Sequence, residues 1–346
     1  MTTGVNHSVI LLSSFLVISS IFNNKTGAQD KVSYDGYIAM DVRSEHGKEY
    51  VDLFSKAKIE FKLDLEDHIR AVIDIRGNSN DPEIELKEVH ALFKCDPKFR
   101  MKIGNIKRCF GIEEMISQED LYTIEESHIN AYMSPFGYVG RAPGTQVYKE
   151  YDGKGPPRSY YLQASSDQSY NVTLNGRISH HNLCGSWCLG LDGVYQRTDL
   201  DQPPREYPPN TYAVSIDLSR QTGLFYTDLE AFFGLDPIET QLSDFSGEDR
   251  DVVFTGLKWL LAQYWRIDGN LLEGVEPLFL SSILVPDTKY MNANRIEILL
   301  GLNVYLYEDV RLRFNGDLIL ANSKHNLHDR TLAAGSKVSS ELQLKW

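Results

Sequence analysis

Beyond its first ~25 positions, this chain of 346 residues lacks any apolar run close to the ~20 residues that a membrane-spanning helix requires. Its mean hydropathy is negative, so a bundle of membrane helices is excluded. Excess basic charge is also missing: 35 Lys and Arg stand against 48 Asp and Glu, a formal net charge of -13. Proteins whose main task is to hold nucleic acid phosphates depend on surplus cations, and no nucleic acid partner is expected here. Catalytic signatures are missing as well. No Gly-rich phosphate loop, G-x-S-x-G or H-E-x-x-H occurs, so neither an enzyme nor a cofactor is expected, and His128 is the single acid or base candidate that stands out. Cysteine is rare, with four in the chain. Cys184 and Cys188 lie beyond disulfide reach if the segment between them is extended. Cys95 and Cys109 fall near opposite ends of a hairpin, so the four are read as structural thiols. His180 and His181 beside Cys184 have no matched second ligand pair, and no metal site is expected.

What the chain does contain is aromatic surface, 11% of its residues and 19 tyrosines, too much for a solvated coil. At the amino terminus, Val9 to Phe22 form an apolar stretch of the length found in export signals, followed by Thr26-Gly27-Ala28. Residues 1–28 are therefore expected to be a cleaved signal peptide, leaving 29–346 as the mature chain.

The mature chain repeats with period two. Ile296, Ile298, Leu300, Leu302, Val304 and Leu306 alternate with Glu297, Leu299, Gly301, Asn303, Tyr305 and Tyr307. Val310, Leu312 and Phe314 alternate with Arg311, Arg313 and Asn315, and about sixteen segments follow the same rule. Many exceed ten residues, enough for a tilted strand to cross hydrocarbon. Connections after even-numbered segments are mostly short, whereas those after odd-numbered ones are mostly longer and richer in Pro and Asp. A bilayer hydrates no backbone group, so a sheet inside it must close on itself. The pattern predicts an all-β fold, a transmembrane antiparallel β-barrel of about 16 strands. Pro143, within the segment 138–151, and Pro277, within 267–284, imply bulges or edges. Tyr34, Tyr138, Tyr160, Tyr195, Tyr212 and Tyr290 fall where an interfacial girdle would want them.

One connection, residues 108–137, is far longer than its neighbours. A barrel this wide is a water channel unless something narrows it, and a long third loop folded inward would do so. Candidates for the constriction are Lys107, Arg108, Glu113, Glu114, Asp120, Glu125 and Arg141. Lys58, Lys62, Arg70 and Arg76 from the first strands, with Arg311 and Arg313 from near the end, would adjoin on closure. They form either a basic stripe or a salt-bridged wall. Leu342, Leu344 and Trp346 end the chain as an aromatic-terminated strand of the kind that barrel-assembly machinery would read.

The run Lys107-Arg108-Cys109-Phe110-Gly111-Ile112-Glu113, then Ser117 and Tyr122-Thr123-Ile124-Glu125-Glu126-Ser127, resembles the K-x-P-F-G-x-E, S and hydrophobic-E-R-S pattern of the phosphate-selective porin O and P family. Val139-Gly140-Arg141 through Gly144-Thr145-Gln146-Val147 is similar to the family's G-R-D-x-G-x-Q segment. Three positions depart: Cys109 replaces Pro, Glu126 replaces Arg, and Ala142-Pro143 replaces Asp. The resemblance implies an outer-membrane porin of a Gram-negative-type bacterium, passing small hydrophilic solutes and in particular anions such as phosphate. By likeness to general porins, it also implies a homotrimer in the lipid bilayer. The competing expectation is a barrel plugged by its long loop that acts as a surface binding or structural protein.

Overall fold

A computed structural model describes residues 32–346 except 81–83, 97–98, 154, 167–171, 185, 198–209, 247–249, 268, 291–293, 308 and 322–333. The expected signal peptide lies outside the described residues. The chain forms β1 (Val32–Glu45), β2 (Asp52–Glu66), β3 (Ile69–Asn78), β4 (Ile84–Asp96), β5 (Phe99–Lys107) and β6 (Arg141–Lys149). It continues through β7 (Arg158–Ser165), β8 (Val172–Leu183), β9 (Trp187–Arg197), β10 (Asn210–Thr222) and β11 (Phe225–Leu235). The last strands are β12 (Val253–Gln263), β13 (Trp265–Arg266), β14 (Gly274–Val285), β15 (Arg295–Tyr307), β16 (Val310–Ala321) and β17 (Gly335–Lys345). Each pairs antiparallel with its neighbours, and β1 pairs with both β2 and β17. The ring is closed, and β13 is a two-residue continuation of β12, so sixteen staves make the wall.

Side-chain polarity is inverted relative to a water-soluble protein. On β15 and β16 the outward Leu300, Leu302, Phe314 and Leu318 are exposed while the inward Glu297, Asn303, Arg313 and Asp317 are buried. Charged groups turned inward and apolar groups turned outward are stable only where the outer solvent is hydrocarbon. Tyr34, Tyr160, Tyr195 and Tyr212 are exposed as a girdle requires, but Tyr138 is fully buried. Its hydroxyl donates to the carbonyl of Leu235 at 2.8 Å inside the barrel, so it belongs to the lumen filling and not to the girdle.

Of the two prolines, Pro277 brings an irregularity of the expected kind, on one side only. Pro277 keeps its place opposite Leu302 with no register shift. The ladder to the other neighbour is broken between Ala262↔Leu278 and Trp265↔Val275, opposite a residue with no N–H to donate. That break separates β12 from β13. Pro143 stands opposite Asn105 in the β5–β6 ladder, just past the Gly144↔Ser165 end of the β6–β7 pairing. β6 begins only at Arg141, not at 138 as expected, because residues up to Gly140 complete the inward loop. At the seam, the Trp346 N–H donates to the Gly36 carbonyl and the Gly36 N–H to the Trp346 carbonyl, both at 3.2 Å. A Cβ on Gly36 would come within 2.3 Å of the Lys58 carbonyl oxygen and 2.8 Å of the indole, so the adjoining strand and the terminal ring together require glycine there.

Candidate pore constriction

The segment between β5 and β6 enters the lumen, as its length and acidity predict. It holds two short helices, α1 (Ile112–Met115) and α2 (His128–Met133), and a 3-10 turn at Gln118–Asp120. Gly111 has φ of 83°, a left-handed conformation suited to glycine, and turns the chain so that the Ile112 N–H donates to Glu230 at 2.9 Å. The Ser127 hydroxyl caps α2 by accepting from the Asn130 N–H at 3.4 Å. Glu113 in turn accepts from the Ser127 N–H at 2.8 Å and its hydroxyl at 2.5 Å, which ties the start of the loop to its middle.

From there the loop is fastened across the lumen. Its charged side chains meet the β16–β17–β1–β2 wall: Glu119 pairs with Lys58 at 2.6 Å, Asp120 with Lys345 at 2.6 Å and Glu125 with Lys337 at 2.5 Å. Glu125 also pairs with Arg43. The backbone is held too, by Arg311 donating to the Glu119 carbonyl at 2.6 Å and by Arg313 donating to those of Leu121 and Thr123 at 3.2 and 2.9 Å. On the opposite side Phe110, Ile129, Met133, Phe136 and Tyr138 pack on Val194, Phe232, Phe254 and Leu284. A further helix, α3 (Pro237–Ser246), closes over that cluster through Ile238. Asp236 caps it by accepting from the Glu239 N–H at 2.9 Å, and also accepts from the Tyr132 hydroxyl. In the sequence this stretch reads only as one of the longer, Pro- and Asp-bearing connections. A helix there is hard to read because fewer than three turns of weakly amphipathic residues encode it, and its apolar face finds its partner in another loop.

This filling leaves space along β2 to β7. A cavity of about 570 Å³ lies on the long-loop side, lined among others by Glu85, Lys87, Glu126 and Gly140. Another of about 320 Å³ lies on the short-turn side, lined by residues including Lys62, Arg70, Lys102 and Tyr148. Glu114 and Arg141 belong to both. In the short-turn cavity eight Lys and Arg meet five Asp and Glu, although the chain as a whole is strongly acidic.

The expected residues therefore divide. Lys107, Arg108, Glu114 and Arg141 line the short-turn cavity; Glu113, Asp120 and Glu125 lie in the anchors of the loop. Lys58, Lys62, Arg70 and Arg76 line the short-turn cavity, and all four have carboxylate partners, such as Asp35 for Lys62 at 2.5 Å and Asp64 for Arg70 at 2.7 Å. Arg311 and Arg313 are turned to the loop backbone instead. Glu88, His90, Lys102 and Tyr148 also line that cavity and are not singled out by the sequence. Lys102 was within reach of the alternation rule, since it precedes the outward Ile103. Burial pushes the Glu114 carboxyl up to about 7, opposed by nearby Lys107. Burial likewise pushes the Cys109 thiol up to about 12.

His128 is buried, with Nδ1 at 2.8 Å from both Glu297 and Ser282, so both neighbours meet one nitrogen and the ring serves to hold the loop. Among the described residues, Asp192, Asp217 and Glu230 converge closely enough to share a cation. Arg177 already bridges Asp192 and Asp217 at 2.5 and 2.8 Å, and Lys258 meets Glu230 at 2.9 Å. All four cysteines are free.

No family model matches the chain, and no curated protein matches its sequence. Among solved structures it is similar to the anion-selective porin from Comamonas acidovorans, at 11% identity over 91% of this chain and 99% of that one, with a TM-score of 0.66. It is also similar to OmpT, an outer membrane protein of Vibrio cholerae in trimer form, at 8% identity over 91% and 99% with a TM-score of 0.59. A third, the outer membrane channel DcaP of Acinetobacter baumannii, shares 10% identity over 91% and 97% with a TM-score of 0.59. The fold is that of the outer-membrane porins. Within the porin fold, sixteen staves account for every strand described above, and at 8–11% identity the likeness lies in the fold.

Proposed function

We propose that this chain is an outer-membrane porin of a Gram-negative-type bacterium. It gives small hydrophilic solutes passive diffusion along the β2–β7 side of its lumen and favours anions. The observation that carries the reading is the surplus of Lys and Arg around the short-turn cavity in a protein whose net charge is -13. Fixed charge at the narrowest part of a water-filled pore concentrates ions of opposite sign, and acidity elsewhere in the chain has little reach beyond about 10 Å in salt. Phosphate belongs to the class of solutes such a lining would admit. The passage is bordered by Lys107, Arg108, Glu114 and Arg141, while the other candidates fix the loop that shapes it. Leu342, Leu344 and Trp346 are the segment presented to the assembly machinery, and the homotrimer is the assembly in keeping with the fold.

Purified, refolded protein in a planar bilayer tests this. The expected result is ohmic conductance with a reversal potential of anionic sign under a potassium chloride gradient. Absence of conductance would overturn the porin reading, and a cationic sign would overturn the anion preference. The tight packing of the loop on Phe232, Phe254 and Leu284 favours one competing reading, a plugged barrel acting through its surface. Removing residues 112–130 separates the two: a modest gain in conductance with lost selectivity belongs to the porin, a large gain from none to the plug.

A further inference from the structure

Among the acidic residues of the inward loop, one is held less firmly by side chains than the rest. Glu113, Glu119, Asp120 and Glu125 have the partners given above, and Glu126 accepts from the Asn130 amide at 2.6 Å. Glu114 is more deeply buried than any of these, yet its Oε1 has no hydrogen-bond partner, and the carboxyl takes a single backbone hydrogen bond, from Gly140. The nearest ammonium, Lys107, is 3.9 Å away and donates instead to the Ile116 carbonyl at 2.7 Å. Together with Arg141, this carboxyl stands where the two cavities meet, so any ion crossing between them passes it.

We infer that Glu114 is the specificity-determining residue of the passage: as a carboxylate it offsets the cations at the junction and holds the preference for anions down. This rests on the porin reading above. The groups that face it are Lys107 on β5, Arg141 on β6, Glu85 and Lys87 on β4, and Glu126 within the loop. Glu88 on β4 is paired with Arg141 at 3.0 Å, whereas Glu114 has only Lys107 at 3.9 Å. Burial brings the titration of Glu114 to about pH 7. The sign follows: above this pH the carboxylate is present and anion preference is low, and below it the proton removes the charge and anion preference rises.

The test is the reversal potential of wild-type protein and Glu114→Gln in planar bilayers under a potassium chloride gradient, from pH 5 to 8.5. The wild type is expected to gain anion over cation permeability by roughly three-fold on acidification, the weight of one unit charge a few ångströms from an ion in water. Glu114→Gln is expected to show the higher ratio at every pH, without the step. A conducting wild type whose reversal potential does not move between pH 8.5 and 5 overturns the inference and leaves the porin reading standing, and this arm needs no variant to fold. A step that persists in Glu114→Gln also overturns it, and assigns the titration to another group such as His90. No conductance from the wild type overturns the porin reading itself, and the inference with it.

Discussion

Replacing Arg313 with methionine should loosen the inward loop without opening the barrel wall. The guanidinium is fully buried, bonded through Nε to Glu341 at 2.8 Å and through Nη1 to the carbonyls of Leu121 and Thr123. Losing one member of a buried ion pair costs about 3–5 kcal/mol, and hydrogen bonds from a charged donor contribute about 1.5–3 kcal/mol each. These overlap, because the same desolvated groups are counted in both, so the expected loss is about 3–5 kcal/mol in all. Lys58, Arg311 and Asn303 still hold the neighbouring residues Glu119 and Tyr122, so the loop stays in place most of the time. A share of about 3 kcal/mol raises the detached fraction roughly a hundred-fold, at a factor of ten per 1.4 kcal/mol. Single-channel recordings should then show brief excursions to a larger conductance that the wild type lacks. The double variant Arg313→Met, Glu341→Leu removes the stranded carboxylate, so its urea midpoint should return toward wild type while the excursions persist. A refolded Arg313→Met channel that is as quiet as the wild type would refute the clamp.

Two further outcomes bear on the loop. Phe136 sits edge-on to Tyr132 at 4.9 Å and to Tyr138 at 5.9 Å within the apolar cluster, so Phe136→Ala should cost about 3–5 kcal/mol, read from urea unfolding of detergent-refolded protein; a loss under about 1 kcal/mol would mean that the cluster contributes little. Cys109, buried with its thiol raised to about 12, should resist maleimide at pH 7.5 while the exposed Cys95 and Cys184 react. Mass spectrometry that finds Cys109 labelled in the folded barrel would show that the root of the loop opens.

Much of the wall was legible because a strand's side chains alternate and a closed sheet has two unlike solvents. Ile296 to Tyr307 declares both faces locally, and no distant residue is needed to orient it. The glycine under Trp346 and the ladder break opposite Pro277 were beyond the sequence, since each depends on which residue a neighbouring strand brings alongside. The inward loop was legible as a length and a charge run, but its contacts were not.

What the sequence determined by itself is the wall, its two faces and the presence of one oversized loop, because these follow from local periodicity and from backbone groups that must be paired in hydrocarbon. What only the tertiary structure decided is the use of each charge. Arg313 and Thr123 are 190 positions apart, and ring closure alone brings that arginine under the loop rather than into the passage. Glu113 and Glu114 are adjacent in one short helix, where successive side chains point about 100° apart. One is therefore turned to Ser127 and the other to the junction of the two cavities, and no reading of a linear run of carboxylates distinguishes them.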